Sequence, residues 1–387
     1  MKAHLQTYPC GQGDCIALTL SEGEETFNIL IDCGKITKEI ETLVCEQWEK
    51  HINLLIVTHI DSDHITGVKN LLKEHGDLKI DKIWFNCYQR VPQGPIEQLT
   101  ERQKKTISAL SSRLFVRDVI GDISAQQALT LSEIILDNPD WKRAWKREYI
   151  TTGFEQELCD GKFGKISFLS PSNESLQTLD GQYVRLFNDV FFKKKDHPYD
   201  EDASIYELLI QLSDEVDKTS LTLLDIACED ITTDTLMSHM DDRILDVSPA
   251  NKASLSFIWE KDEKRFLFLG DAEPSQVESA LKNKYGEGTQ IFDAIKVSHH
   301  GSDHSTSREL MRLIDSADYF FTGGCDDDRP GLASIARIVC RDLPYSTDKR
   351  KLHFNTVTNV VTALDNVQKV KDAFKFEVIT KDNTYDA

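Results

Sequence analysis

Short apolar runs, each stopped by a glycine, an aspartate or a polar turn, set the rhythm of the first part of the chain. The tight turn Gly11-Gln12-Gly13-Asp14 leads into a predicted strand, Cys15–Leu20. A polar hairpin turn at Ser21–Glu25 separates it from a second strand, Phe27–Ile31, which ends in Asp32-Cys33-Gly34. Ile36, Ile40, Leu43, Val44 and Trp48 recur at helical intervals and predict a helix over Ile36–Lys50. Leu54–Val57 is a buried-strand run, Gly67–His75 predicts a helix closed by Gly76, and Ile80–Phe85 is a further strand. Strands alternating with helices in this order imply an α/β layered architecture.

From Tyr88 to Ile150 the pattern turns helical, with Gln98–Leu114 and Ser124–Leu136 as the predicted helices. Trp141–Arg147 is basic and aromatic. Its cations Lys142, Arg143, Lys146 and Arg147 either meet a phosphate chain or coat a solvated helix whose tryptophans, Trp141 and Trp145, enter the core. Lys165–Pro171 returns to strand, and an acidic stretch follows to about Asp246, helix-like at Ser204–Val216 with a weaker apolar run at Leu221–Cys228. Strands then resume at Ala253–Trp259 and, across the charged turn Glu260–Lys264, at Arg265–Leu269. A helix over Pro274–Tyr285, a strand Ala294–Val297, a helix near Leu332–Cys340 and a last strand near Phe374–Thr380 complete the reading. The expected organisation is one domain over residues 1–387. It carries a helical insertion at 88–164, an acidic insertion at 172–250, and a C-terminal segment, 331–387, whose helix and strand complete or extend the core.

Composition narrows the class. Of the 387 residues, 40% are apolar, as in a soluble globular protein, and no apolar run is long enough to span a bilayer. The N-terminus lacks an apolar signal region, and the nine cysteines form no CxxC pair, so reduced thiols and a cytoplasmic location are expected, with no membrane partner. The net charge is −20, and Pro171–Ala250 alone holds eighteen acidic against six basic residues. That balance disfavours non-specific nucleic-acid binding, which draws on neutralised phosphates. It also makes the acidic insertion a candidate surface for a protein partner.

The chemistry sits where strands stop. The segment Thr58-His59-Ile60-Asp61-Ser62-Asp63-His64 releases four imidazole and carboxylate groups directly after an apolar run. These are the donors that Zn²⁺ and its first-row neighbours take. Asp32, Asp271 and the pair His299-His300 stand at three further strand ends. In α/β sheets, sites form beyond the carboxyl ends of strands, where loops converge on a rigid frame.

Gly11-Gln12-Gly13-Asp14, Ile31-Asp32-Cys33-Gly34, Thr58–Gly67, Asn251–Leu255, Leu269-Gly270-Asp271 and Lys296–Ser302, in this order, resemble the metallo-β-lactamase-fold hydrolases. Within them the chain is most similar to the C-terminal hydrolase domain of ComEC-type DNA-uptake proteins and their free-standing soluble relatives. The resemblance spans about residues 5 to 330. It implies a four-layer αβ/βα sandwich with two divalent metal ions, Zn²⁺ or Mn²⁺, on one edge. By this likeness His59 and Asp61 hold the first ion, Asp63, His64 and one of His299 or His300, with His300 favoured, hold the second, and Asp271 bridges them. Asp61, where the wider family has His, is the reading of the ComEC-like branch. His299 becomes a phosphate contact or proton donor, and Asp63 and His299 the catalytic pair. Consecutive residues leaving a strand point in different directions, so only one of His299 and His300 is expected to ligate.

Two positions depart from the pattern. Asn251 stands where the family supplies a further His, and offers a harder, weaker amide oxygen. Arg329 stands beside Pro330 where ComEC-like domains carry His-Pro, and becomes a candidate phosphate contact. Asp32 and Asp14 are expected to hold ligands or loop amides in place, and Ser302 to meet substrate or cap the following helix. The implied activity is that of a phosphodiesterase or nuclease attacking with a hydroxide shared by the two metals, on a nucleic acid or a nucleotide-like phosphodiester. Two alternatives stand beside it: hydrolysis of a small molecule (a nucleotide-like signal, a lactone or an amide) on the same metals, and a metal-stabilised partner-binding subunit.

Overall fold

The computed structural model describes residues 1–87, 130–181, 207, 210, 231–241, 248–324, 329–343 and 348–387. The helices expected at Gln98–Leu114 and Ser204–Val216 and the run Leu221–Cys228 lie largely or wholly outside these residues, as do residues 124–129 of the helix expected at Ser124–Leu136, whose described part is helical from Leu131.

Among the described residues, fourteen strands form two sheets. The first takes β1 (Lys2–Thr7), β2 (Ile16–Glu22), β3 (Glu25–Ile31), β4 (His51–Val57) and β5 (Lys79–Phe85), and adds β14 (Thr384–Asp386) beside β1. β1, β2 and β3 are an antiparallel meander, whereas β3, β4 and β5 run parallel. The second takes β6 (Glu155–Glu157), β7 (Lys165–Ser170), β8 (Ser256–Lys261), β9 (Lys264–Phe268), β10 (Gln290–Lys296), β11 (Ile314–Phe321), β12 (Arg350–Phe354) and β13 (Phe376–Ile379), in that spatial order. Its last five strands are parallel.

Alternation along each strand decides the layers. Leu18, Ile29, Ile31 and Ile56 of the first sheet meet Phe168, Phe257, Trp259, Phe266 and Phe268 of the second in one cluster between the sheets. The opposite faces carry Leu30, Leu55 and Val57, which bury Val68 and Leu71 of the helix Ser62–Glu74, and Leu267, Ile295 and Tyr319, which bury Val277 and Leu281 of the helix Pro274–Tyr285. Helices, sheet, sheet, helices: this is the four-layer α/β sandwich expected from the sequence. Among the described residues no helix is long and apolar enough to cross a membrane.

Several expectations need correction. The helix placed at Gly67–His75 begins at Ser62, so Asp63 and His64 lie in its first turn. The strand placed at Ala253 begins at Ser256, because Pro249–Lys252 forms a helical turn first. The strand near Phe374–Thr380 is not the last, since β14 returns to the first sheet. Trp141 and Trp145 are core residues: their indole N–H groups donate to Leu78 O (2.9 Å) and Phe85 O (3.0 Å), anchoring the segment to β5.

A buried carboxylate ties residue 207 to the helix Leu131–Asp137. The Glu207 carboxylate, fully buried, accepts from Leu131 N (2.8 Å), Ser132 N (3.0 Å) and Ser132 Oγ (2.9 Å) at the start of the helix Leu131–Asp137. Burial raises its pKa, against the pull of Lys69 and those donors. Glu207→Ala would orphan two buried amides. We expect about 2–4 kcal/mol lost in urea unfolding, and a loss within ±0.5 kcal/mol would show the contact to be idle.

Candidate metal centre

Parallel strands end on one edge of the sandwich, and that edge gathers the site. Asp32 follows β3, the His59–His64 segment follows β4, Asp271 follows β9, His299-His300 follow β10 and Thr322 follows β11. The β1–β2 turn adds Asp14. Two glycines allow this closeness. A Cβ on Gly13 would lie 1.5 Å from the Asp63 carbonyl oxygen, and one on Gly34 2.1 Å from the same atom. Any side chain at either position would displace Asp63, which explains both glycines physically.

Asp271 is the centre of the arrangement. Its Oδ2 lies 3.4 Å from His64 Nε2, 3.6 Å from His300 Nε2, 3.7 Å from His299 Nε2 and 3.9 Å from His59 Nε2. His64 Nε2 and His300 Nε2 also face Asp63 Oδ2, at 4.0 and 3.5 Å. Asp61 occupies the N-cap position of the helix Ser62–Glu74 but makes no capping hydrogen bond, and its Oδ2 stands 3.5 Å from His59 Nε2. A side-chain cap is worth about 0.5–2 kcal/mol, so this carboxylate is turned toward the imidazole at some cost. Donor atoms of His59, His64 and Asp271 lie within 4.8 Å of one another, as do those of Asp63, His64 and His300.

The imidazole tautomers follow from their partners. His64 Nδ1–H donates to Asp32 Oδ2 (2.8 Å), and His300 Nδ1–H to Thr322 O (3.0 Å). The Thr58 hydroxyl donates to Asp32 Oδ2 (2.6 Å), so its oxygen accepts from His59 Nδ1–H (3.0 Å). All three rings thus carry the proton on Nδ1 and present a lone pair on Nε2. The three Nε2 atoms and Asp271 Oδ1 are buried and make no hydrogen bond. Burying such atoms unpaired is costly, and imidazole held through Nδ1–H is the form that ligates metals. The donor set therefore fits divalent cations, with His59, Asp61, Asp63, His64, His300 and Asp271 as the residues to hold them.

The field in the pocket agrees. Burial disfavours a proton on His64, yet Asp271, Asp63 and Asp32 raise its pKa well above the ordinary value. His300 is raised likewise by Asp271 and Asp14 against burial. Burial opposes the charge of Asp271, but His64, His300 and His299 hold its carboxyl well below the usual range. What favours a proton on these rings favours any cation beside them. Asp14, Asp32, Asp61, Asp63 and Asp271 gather at the site, where the buried ammonium of Lys296 pairs with Asp14 and stands 3.8 Å from Asp271 Oδ1.

Both consecutive histidines face the centre, with Nε2 3.7 Å (His299) and 3.6 Å (His300) from Asp271 Oδ2. His299 (φ 49°) and His300 (φ 56°) are both left-handed, so the alternation of an extended strand does not apply. Two such non-glycine residues in succession are rare and strained, and cluster at functional sites. His299 differs in its surroundings: Nδ1 meets Ser305 Oγ at 3.0 Å, and its side chain is 8% exposed against 0–1% for the other three.

The remaining candidates lie around the centre. Asn251 is buried on Pro249–Lys252, and its carbonyl accepts from Ser254 N (3.0 Å). Ser254 Oγ in turn accepts from Asp271 N (3.0 Å) and stands 3.4 Å from His59 Nδ1. Ser302 does not cap the next helix. Its hydroxyl accepts from His304 N in a local turn, and Ser307 caps Arg308–Leu313 instead. Arg329 leads into Pro330, whose ring packs over Gly301, while the neighbouring Asp326–Asp328 lie outside the described residues. Sequence reasoning missed Lys296, Thr58, Ser254 and Thr322. A lysine inside the apolar run Ala294-Ile295-Lys296-Val297 was the available signal for the first.

Comparison with family models and with curated protein sequences gives no match. Among solved structures the chain is similar to the metallo-beta-lactamase fold protein YhfI from Bacillus subtilis, at 9% identity and TM-score 0.38 over 100% of both chains. It is similar to Zn²⁺-bound PqqB from Methylobacterium extorquens, at 12% identity and TM-score 0.40 over 99% of this chain and 100% of that one. CmlA, a diiron beta-hydroxylase from Streptomyces venezuelae, aligns at 9% identity and TM-score 0.38. The alignment covers 99% of this chain but 54% of CmlA. These are likenesses of chain trace; what the site can do follows from its own donors.

Proposed function

We propose that this protein is a metal-dependent hydrolase and that its substrate is a phosphodiester. The observation that carries the metal reading is the convergence of His59, His64 and His300 Nε2 on the Asp271 carboxylate, each ring fixed through Nδ1. Two divalent cations bound there, Zn²⁺ or Mn²⁺, would supply Lewis acidity and an activated water at neutral pH. The residues do the rest. Asp271 faces both donor groups and is placed to bridge them. Asp63 and His299 are the more exposed of the converging groups, so they meet the substrate. His299, steadied by Ser305, is placed to protonate the leaving oxygen. The choice of phosphodiester draws on the sequence likeness to the ComEC-type hydrolase domain. The net charge of −20 favours a small phosphodiester over a nucleic-acid polymer.

The test is metal analysis with a substrate screen on Mn²⁺- and Zn²⁺-loaded protein, using bis-p-nitrophenyl phosphate, single- and double-stranded DNA, and RNA. Two equivalents of metal and chelator-sensitive cleavage of the small diester are expected. Cleavage of polymers as well would assign a nuclease. No bound metal and no turnover on any substrate would overturn the reading.

A further inference from the structure

Lys296 has no role in the chemistry above, yet it is the ammonium at the heart of the site. It ends β10, and alternation puts it with Ala294 on the face between the sheets, while Ile295 and Val297 face the outer helices. Its side chain is 1% exposed. Nζ donates to Gly270 O (3.0 Å), pairs with Asp14 Oδ2, and stands 3.8 Å from Asp271 Oδ1. The other oxygen of Asp14 lies 3.1 Å from His300 Nδ1 and accepts from the Thr322 hydroxyl. An ammonium has three donors in a compact head. Here they reach the β1–β2 turn, the turn carrying Asp271 and, through Asp14, the ring of His300.

We infer that Lys296 is a positioning residue for the metal centre: it holds the Asp271 turn and, by fixing Asp14 behind His300, orients two donors from different loops toward the same cations. The inference rests on reading the site as a metal centre. A plain structural ion pair would need only Asp14. Lys296 also takes the Gly270 carbonyl, one residue before Asp271, so it grips the backbone that aims the central carboxylate. Partners of this kind behind metal ligands are typically worth 10–100-fold in metal affinity.

Removing Lys296 alone would strand a buried carboxylate, so the informative variant is the charge-neutral pair Lys296→Met with Asp14→Asn. It deletes one positive and one negative charge and leaves the net charge of the pocket unchanged. Metal-stripped protein is titrated with Mn²⁺ alone and Zn²⁺ alone by calorimetry, and the Co²⁺-substituted absorption spectrum is recorded. Expected are a far-ultraviolet dichroism spectrum like that of the unaltered protein, affinity about 10–100-fold weaker for at least one equivalent, and an altered Co²⁺ spectrum. Unchanged affinity and spectrum would overturn the inference while leaving the metal reading intact. Absence of binding by the unaltered protein would overturn both. Should the pair fail to fold, Asp14→Asn alone decides. With its partner neutral, the ammonium is expected to turn to Asp271 and compete with the cations, and unchanged affinity there also overturns the inference.

Discussion

Asp271→Ala is expected to lower phosphodiester turnover by about 10³-fold or more, equivalent to about 4 kcal/mol of transition-state stabilisation. The reason is position. One carboxylate oxygen lies within 3.4–3.9 Å of four imidazole nitrogens contributed by the segments after β4 and β10. Any cation shared between the His59 and His300 sides must meet it. Its loss should lower bound metal from two equivalents to one or fewer, measured by elemental analysis after gel filtration. The fold should persist, because Asp271 is anchored to Ser254 through its backbone amide. Near-normal turnover in Asp271→Ala would show that the hydrolytic centre lies elsewhere.

Asp32 is the second position of large effect, and two substitutions there should separate stability from metal binding. Its carboxylate, fully buried, accepts from Thr58 N (2.7 Å), Thr58 Oγ1 (2.6 Å) and His64 Nδ1 (2.8 Å). Asp32→Ala orphans these donors and places alanine at φ 54°, where aspartate and asparagine are better tolerated. About 3–5 kcal/mol of destabilisation follows from the unpaired groups and the backbone, read from the urea midpoint. Asp32→Asn keeps the shape and an oxygen for Thr58 N, but sets an amide N–H₂ against donors. To escape, His64 must move its proton to Nε2, the atom facing Asp63 and Asp271. Metal affinity should then fall about 10–100-fold, with only about 1–2 kcal/mol lost in stability. Equal losses of stability in the two variants would refute the tautomer argument.

How much of this was legible depends on what each residue had to show. The strands around the site were readable because Leu54–Val57 and Arg265–Leu269 are apolar and stop abruptly at His or Asp. The start of the helix Ser62–Glu74 was not, since Ser62, Asp63 and His64 look like a loop when only apolar spacing is followed, and its N-cap aspartate does not cap. β11 and β12 escaped notice for a related reason. β11 buries Asp315, Ser316 and Asp318, and β12 buries Arg350 and His353. These charges satisfy one another: Arg350 Nη2 meets Asp315 Oδ2 at 2.8 Å and His353 Nε2 meets Asp318 Oδ1 at 2.8 Å. Pairs separated by some thirty-five residues cancel in space, whereas along the chain each strand reads as polar. The left-handed turn at His299-His300 is a backbone property that residue types alone do not announce.

The return of β14 to the first sheet has a consequence for how the protein is made. His4 pairs with Asp386 and Gln6 with Thr384, so the outer side of β1 is covered by residues some 380 positions away. A pairing of such contact order forms only after the loop between its partners is closed, which slows folding. On the ribosome, β1, β2 and β3 emerge and pair long before β14 exists. Throughout that interval the backbone groups along the outer side of β1 form an open edge, a template for another copy's strand. β14, made long after β1, is therefore the strand that protects it.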